Sequence, residues 1–189
     1  MTQATPAKQP TVLVLGDSLS AGWGIDSEQG WVALLRQRLD REYPGYLVIN
    51  ASVSGDTTRT GLNRLGAALE QYQPSVVIVE LGGNDGLRGL SFSEIERNLT
   101  GIIDLSQQEG AKVLLTALRL PPNYGPAYNS RMDELFRRIA EQRKVAFIPR
   151  LLDKVDDDPA LMQADGVHPT AEAQPRILDN VWPALKPLL

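Results

Sequence analysis

Five short apolar runs, each followed by a longer stretch with apolar residues at helical spacing, set the strongest constraint on this chain. The runs are TVLVLG (11–16), YLVIN (46–50), SVVIVELGG (75–83), AKVLLTAL (111–118) and VAFIP (145–149). A short run that is apolar throughout, rather than at every second position, reads as a strand buried on both faces. The third run is the most apolar and is expected at the centre of the sheet. Between the runs, a helix is expected from about Glu28 to Glu42 behind Ser27, with Trp31, Leu34, Leu35 and Leu39 on one side. A second is expected over 58–72, with Leu62, Leu65 and Leu69 in register. A third should run from Glu94 to Gln108, with Ser93 as cap and Gly110 closing it. A fourth is expected from Tyr128 to Lys144. A last one starts near Thr170 and is expected to be kinked or divided by Pro175 and Pro183. Strands and helices in strict alternation predict an α/β fold: a three-layer α/β/α sandwich around a five-stranded parallel sheet, in the flavodoxin-like strand order 2-1-3-4-5.

At 189 residues and 42% hydrophobic content the chain has material for one well-buried core. Residues 11–189 are therefore expected to form a single domain, behind a polar, flexible lead of residues 1–10. The formal net charge of -4 is spread along the chain without a basic stripe, which speaks against nucleic acid as a partner. The absence of cysteine excludes disulfides, thiol catalysis and thiolate metal sites. No apolar run approaches the ~18 residues of a membrane helix, and the first ten residues lack the apolar stretch of a signal peptide. The acidic run Asp156-Asp157-Asp158 reads as a solvated loop. There is one histidine, His168.

In an open parallel sheet, ligands bind beyond the carboxyl ends of the strands, where the strand order reverses. The segments leaving those ends are GDSLS (16–20), NASVSGDT (50–57) and LGGND (81–85), and DGVHP (165–169) leads into the last helix at the same rim. A serine there can be a cap, part of a phosphate cradle or a nucleophile. A nucleophile needs a base beside it and an acid to orient that base. In DGVH, Asp165 and His168 can meet through one tight turn at Gly166, and Pro169 holds His168 extended. Asp165 also fits an ordinary Asx turn. An acyl-transfer site further needs donors for an oxyanion, for which the backbone N–H groups of Ser18 and Gly55 and the side-chain amide of Asn84 are candidates. Ser18 has Gly16 two residues before it but Ser20 two after, so the nucleophile elbow of the ordinary α/β-hydrolases is absent.

Taken in order, GDSLS, Gly55 in SGDT, Asn84 in GGND and DGVHP resemble the four sequence blocks of the SGNH (GDSL) hydrolases, from about Thr11 over nearly the whole chain. The longer strings NASVSGDTTRTGLNRL, VELGGNDGLRGL and LRLPPNYG resemble the bacterial acyl-CoA thioesterase/lysophospholipase branch, which includes arylesterases. The resemblance implies a serine ester and thioester hydrolase that uses no cofactor and no metal. Ser18 would be nucleophile, His168 base, Asp165 its orienter, and Ser18, Gly55 and Asn84 the oxyanion hole. Asp17 would be a buried carboxylate bracing the serine loop. The loops GLRGLSF and ALRLPPNYG put Leu87, Leu90, Phe92, Leu118, Leu120, Asn123 and Tyr124 near that rim as expected contacts for a hydrophobic acyl substrate. The partner is then a small ester or thioester, and the chain is expected to act as a monomer. The resemblance also implies export to the periplasm or secretion, against a cytoplasmic location if the chain begins as given. The alternatives on the same residues are a carbohydrate deacetylase, an acyltransferase, or a non-catalytic anion-binding module of flavodoxin-like fold.

Overall fold

The computed structural model of the chain describes residues 9–189, so most of the polar lead lies outside the described residues. Strands β1 (Thr11–Gly16), β2 (Leu47–Asn50), β3 (Val76–Glu80), β4 (Lys112–Thr116) and β5 (Ala146–Ile148) form one sheet in the order β2-β1-β3-β4-β5. Every pairing is parallel, with Leu13 opposite Val77 and Ile78 opposite Leu114. Between the strands run α1 (Ser18–Ala21), α2 (Trp31–Glu42), α3 (Thr58–Tyr72), α4 (Gly83–Leu87), α5 (Phe92–Gln108) and α6 (Pro126–Arg143), and α7 (Gln174–Leu185) follows β5.

The period of two along a strand divides the core in two. Leu13, Leu15, Val77, Val79, Val113 and Leu115 face one layer, packed on the apolar sides of α3, α5 and α6. Val12, Val14, Val76, Ile78 and Leu114 face the other, against α2 and α7. The sandwich expected from the sequence is present, in the expected strand order.

Helix starts differ from the expected ones, each for a local reason. Ser27 does not cap α2. Ser27–Gln29 forms a 3₁₀ turn capped by Asp26, and extended Gly30 separates it from Trp31. The fully buried Trp31 instead has its N–H bound by Gln174 Oε1 at 3.0 Å, a tertiary substitute for a local cap. Helix α5 is capped by Ser91, not Ser93, because Ser91-Phe92-Ser93-Glu94 sets Ser91 Oγ on the Glu94 N–H. The third run ends as a strand at Glu80. Gly82 then turns the chain out with φ 114°, and the Phe136 ring lies 2.6 Å from where a Cβ would stand. Pro175 sits in the first turn of α7, where a missing N–H costs nothing, while Pro183 lies inside its last turns. The acidic run lies in a loop as expected, with Asp157 and Asp158 exposed; Asp156 and Asp157 also pair with Arg119 and Arg150, and Asp158 caps the turn Pro159–Leu161.

Candidate active site

Strand β1 ends at the reversal of strand order, between β2 and β3, and Ser18 is the first residue of the helical turn that follows. Asp17 caps this turn, its Oδ1 accepting from Leu19 N–H at 3.0 Å. Across the rim, Met162 bridges Pro169 in antiparallel fashion, and the tip of this hairpin carries Asp165 and His168. Asp165 Oδ1 accepts from the N–H groups of Val167 (2.9 Å) and His168 (3.0 Å), which is an Asx turn. Its other oxygen lies 2.6 Å from His168 Nδ1. The Asx turn and the orienting carboxylate, two separate readings of the sequence, are one arrangement. His168 Nε2 in turn lies 2.8 Å from Ser18 Oγ. Ser18, His168 and Asp165 therefore form one hydrogen-bonded chain across 150 residues of sequence. Burial works against the Asp165 charge, but the N–H and ring of His168 and the N–H of Val167 outweigh it and hold the carboxyl down at about 2.

Gly55 (φ 85°) lies on the loop after β2, and Asn84 in the first turn of α4. Among the described residues, neither the Ser18 nor the Gly55 N–H meets an acceptor. Asn84 differs: its Nδ2 donates to Asp17 Oδ2 at 3.0 Å and to Asp56 O at 2.9 Å, which occupies both protons. Arg88 Nη2 donates to the Gly55 carbonyl at 3.0 Å.

Beneath this rim lie groups that sequence reasoning missed. Glu80 is fully buried; its Oε2 accepts from Ser20 Oγ (2.7 Å) and Asp17 N–H (3.3 Å), and Oε1 meets no other donor among the described residues. Burial, then the Asp17 charge, push its carboxyl well up, and burial pushes Asp17 up to about 6. The signal was a carboxylate at the end of the most apolar run in the chain. Arg64, from α3, binds Asp56 Oδ2 at 2.6 Å and also donates to the carbonyls of Ala51 and Gly16. One guanidinium thus ties the loops after β1 and β2, and nothing in its sequence neighbourhood marks it.

A cavity of about 410 Å³ opens beside Ser18 and His168. Leu87, Leu118 and Leu120 line it, whereas Leu90, Phe92, Asn123 and Tyr124 do not. Tyr124 Oη donates to Leu87 O at 2.8 Å, so it braces the cavity wall from behind. Phe92 packs on Tyr128, Leu90 N–H closes onto Asp85 O, and Asn123 is exposed. Trp23, Leu152, Met162 and Val167 add to the apolar lining. They come from loops whose approach only the fold decides. Among the described residues, no group of three or more His, Asp or Glu side chains is arranged to hold a metal ion.

A parallel sheet with a Ser–His–Asp chain at its reversal point, two free N–H groups and an apolar cavity defines a serine acyl hydrolase built without a nucleophile elbow. Residues 14–175 match the GDSL-like Lipase/Acylhydrolase family. The chain is 50% identical to Esterase TesA of Pseudomonas aeruginosa, over 100% of this chain and 93% of that protein. It is 42% identical to Thioesterase 1/protease 1/lysophospholipase L1 of Escherichia coli (strain K12), over 97% of this chain and 86% of that protein. A crystal structure of TesA superposes with a TM-score of 0.93 at 51% identity, covering 95% of this chain and 99% of the other. The chain belongs to the GDSL-like lipase/acylhydrolase family, and it is an ester hydrolase.

Proposed function

We propose that Ser18 is the nucleophile of an ester and thioester hydrolase, with His168 as base and then acid, and Asp165 as the residue that orients it. The observation that carries this reading is the Ser18–His168–Asp165 chain of 2.8 Å and 2.6 Å contacts. Ser18 Oγ attacks the acyl carbonyl while His168 Nε2 takes its proton. The same proton then passes to the departing alcohol or thiol, leaving an acyl-serine. Water, deprotonated by His168, hydrolyses it by the reverse sequence. Asp165, bound to Nδ1, fixes the tautomer that leaves Nε2 free to accept. The tetrahedral oxygen is received by the N–H groups of Ser18 and Gly55, with Asn84 Nδ2 turning a proton toward it from Asp17 or Asp56 O.

The apolar lining supports an acyl group with a hydrophobic chain as substrate, on an oxygen or sulfur leaving group. The names of the relatives add thioesters and lysophospholipids to simple esters. The test is kcat/KM across p-nitrophenyl esters of rising chain length, acyl-CoA, a lysophospholipid and an acetylated sugar. Preference for esters or thioesters of the longer chains is expected, and preference for the acetylated sugar refutes it. The whole candidate site comes from one chain, which supports action as a monomer, checked by light scattering on a sizing column. Among the described residues no helix is long and apolar enough to cross a membrane. Export, carried by the resemblance, is tested by fractionating cells that express the native gene.

A further inference from the structure

Apart from the Trp23 side chain on the cavity wall, the string Gly22-Trp23-Gly24, just after Ser18, has no part in the chemistry above, yet its backbone is tightly specified. Both glycines are left-handed, with φ of 77° and 76°. Gly22 N–H and Trp23 N–H both donate to the Ser18 carbonyl, the latter at 3.1 Å, so the turn is fastened to the candidate nucleophile itself. Burial of Trp23 does not hold it in place, because that side chain is 56% exposed. The Trp23 carbonyl instead accepts from Gln163 Nε2 at 2.8 Å, across 140 residues of sequence. The second proton of that nitrogen goes to Pro169 O at 2.9 Å, and Gln163 backbone N–H donates to His168 O at 2.8 Å. The acceptors are both carbonyls, so only the NH₂ end of the amide fits there. Gly24 leaves the space: a Cβ on it would collide with Oε1 of Gln163 and stand 3.0 Å from its Cδ and Nε2.

We propose that Gln163 is a positioning residue for the nucleophile and base: its amide clips the turn fastened to Ser18 onto the hairpin that carries His168. The inference rests on the serine-hydrolase reading above. Ser18 and His168 stand on separate loops, and the tip of the hairpin, Asp165 and Gly166, is exposed. Their 2.8 Å contact needs a link between the loops, since displacement of a reacting group by ~1 Å costs on the order of 10²-fold in rate. A neutral amide supplies two donors without adding charge beside the imidazole, which a lysine or arginine would do.

The test uses Gln163→Ala, Gln163→Leu, which keeps most of the side-chain volume, and Gly24→Ala, which pushes on the amide from the other side. Measured are kcat and KM for a p-nitrophenyl ester, the rate of phosphorylation of Ser18 by diethyl p-nitrophenyl phosphate, which releases p-nitrophenolate, and thermal stability. Each folded variant is expected to lose roughly 10- to 100-fold in kcat and in phosphorylation rate, with KM within about twofold. The double variant Gly24→Ala/Gln163→Ala should be no worse than the poorer single one, because both break one link. A role in stability alone would lower the melting temperature and leave the phosphorylation rate of folded protein unchanged; that result, or losses that multiply in the double variant, overturns the proposal. If both Gln163 variants fail to fold, Gly24→Ala with unchanged kcat overturns it equally. Ser18→Ala run alongside separates the two claims: an active Ser18→Ala enzyme refutes the serine-hydrolase reading, whereas an inactive one beside fully active Gln163→Ala refutes only the clip.

Discussion

Replacing Asp17 by asparagine separates what the loop under Ser18 does for stability from what it does for catalysis. Asp17 is 3% exposed and lies against fully buried Glu80. Burial pushes Asp17 from 3.8 up to about 6, although Leu19 N–H, the His168 charge, Glu80 and Asn84 all oppose the rise. Because the folded value is the higher one, the folded chain holds a proton that the unfolded chain has already released. Stability is therefore fullest below about pH 4 and falls as pH rises toward 6, the opposite of the usual carboxylate pattern. At about 1.4 kcal/mol per unit, a gap of roughly two units corresponds to about 3 kcal/mol. The introduced asparagine cannot ionise, so the stability of Asp17→Asn relative to the parent should improve by up to ~3 kcal/mol between pH 4 and pH 7. Removing the Asp17 charge also relieves Glu80, which moves the difference the same way. A constant offset of ~1–3 kcal/mol opposes it at every pH, because the Nδ2 group of the new asparagine would face that of Asn84, donor against donor. The assay is urea unfolding of both proteins at pH 4, 5, 6 and 7, comparing the differences rather than the absolute values. A difference constant within about 0.5 kcal/mol across that range refutes the reasoning. Activity should go the other way, since Asn84 loses its acceptor, and kcat is expected to fall by roughly 10- to 10²-fold.

Other expectations rest on single contacts. Ser18→Ala should eliminate turnover and labelling by a fluorophosphonate, and Asn84→Ala should lower kcat by about 10²–10³-fold while the chain stays folded, as judged by circular dichroism. Asp165, held down at about 2, stays ionised throughout the working range, so its contribution to stability is present above about pH 4 and fades only as pH falls toward 2. Asp165 should consequently contribute no ionisation to kcat/KM between pH 5 and 9, and an Asp165→Asn enzyme with an unchanged rate would remove it as the orienting residue. Met162→Ala and Leu118→Ala enlarge the cavity and should move the preferred p-nitrophenyl ester toward longer chains, with no shift counting against the acyl assignment. Gly82→Ala places a Cβ 2.6 Å from Phe136 Cζ at φ 114° and should cost about 1–3 kcal/mol or more in thermal unfolding.

Features carried by neighbours along the chain could be read before any fold was in view. Strands β1, β3 and β4 were legible because buried parallel strands are apolar throughout, and α3 was legible because Leu62, Leu65 and Leu69 repeat at the helical period. The strand order expected from their alternation with helices is the one observed. Asp165 and His168 meet through one turn, so their contact was readable three residues apart. Whatever depends on groups distant along the chain took the folded arrangement to settle. Gln174, 143 residues away, satisfies the start of α2 and moved it to Trp31. Glu80 keeps its carboxyl in the core because Ser20 and the Asp17 loop close over it. Arg64 and Gln163 bind backbone carbonyls, which every residue possesses and no sequence pattern distinguishes. The cavity lining divided the same way: Leu87 and Leu120 line it, while Tyr124, equally apolar in pattern, faces the back of the wall. Hydrophobic residues beyond a strand end are bound to be near the rim, but the side they present is fixed by packing against elements that arrive from elsewhere in the chain.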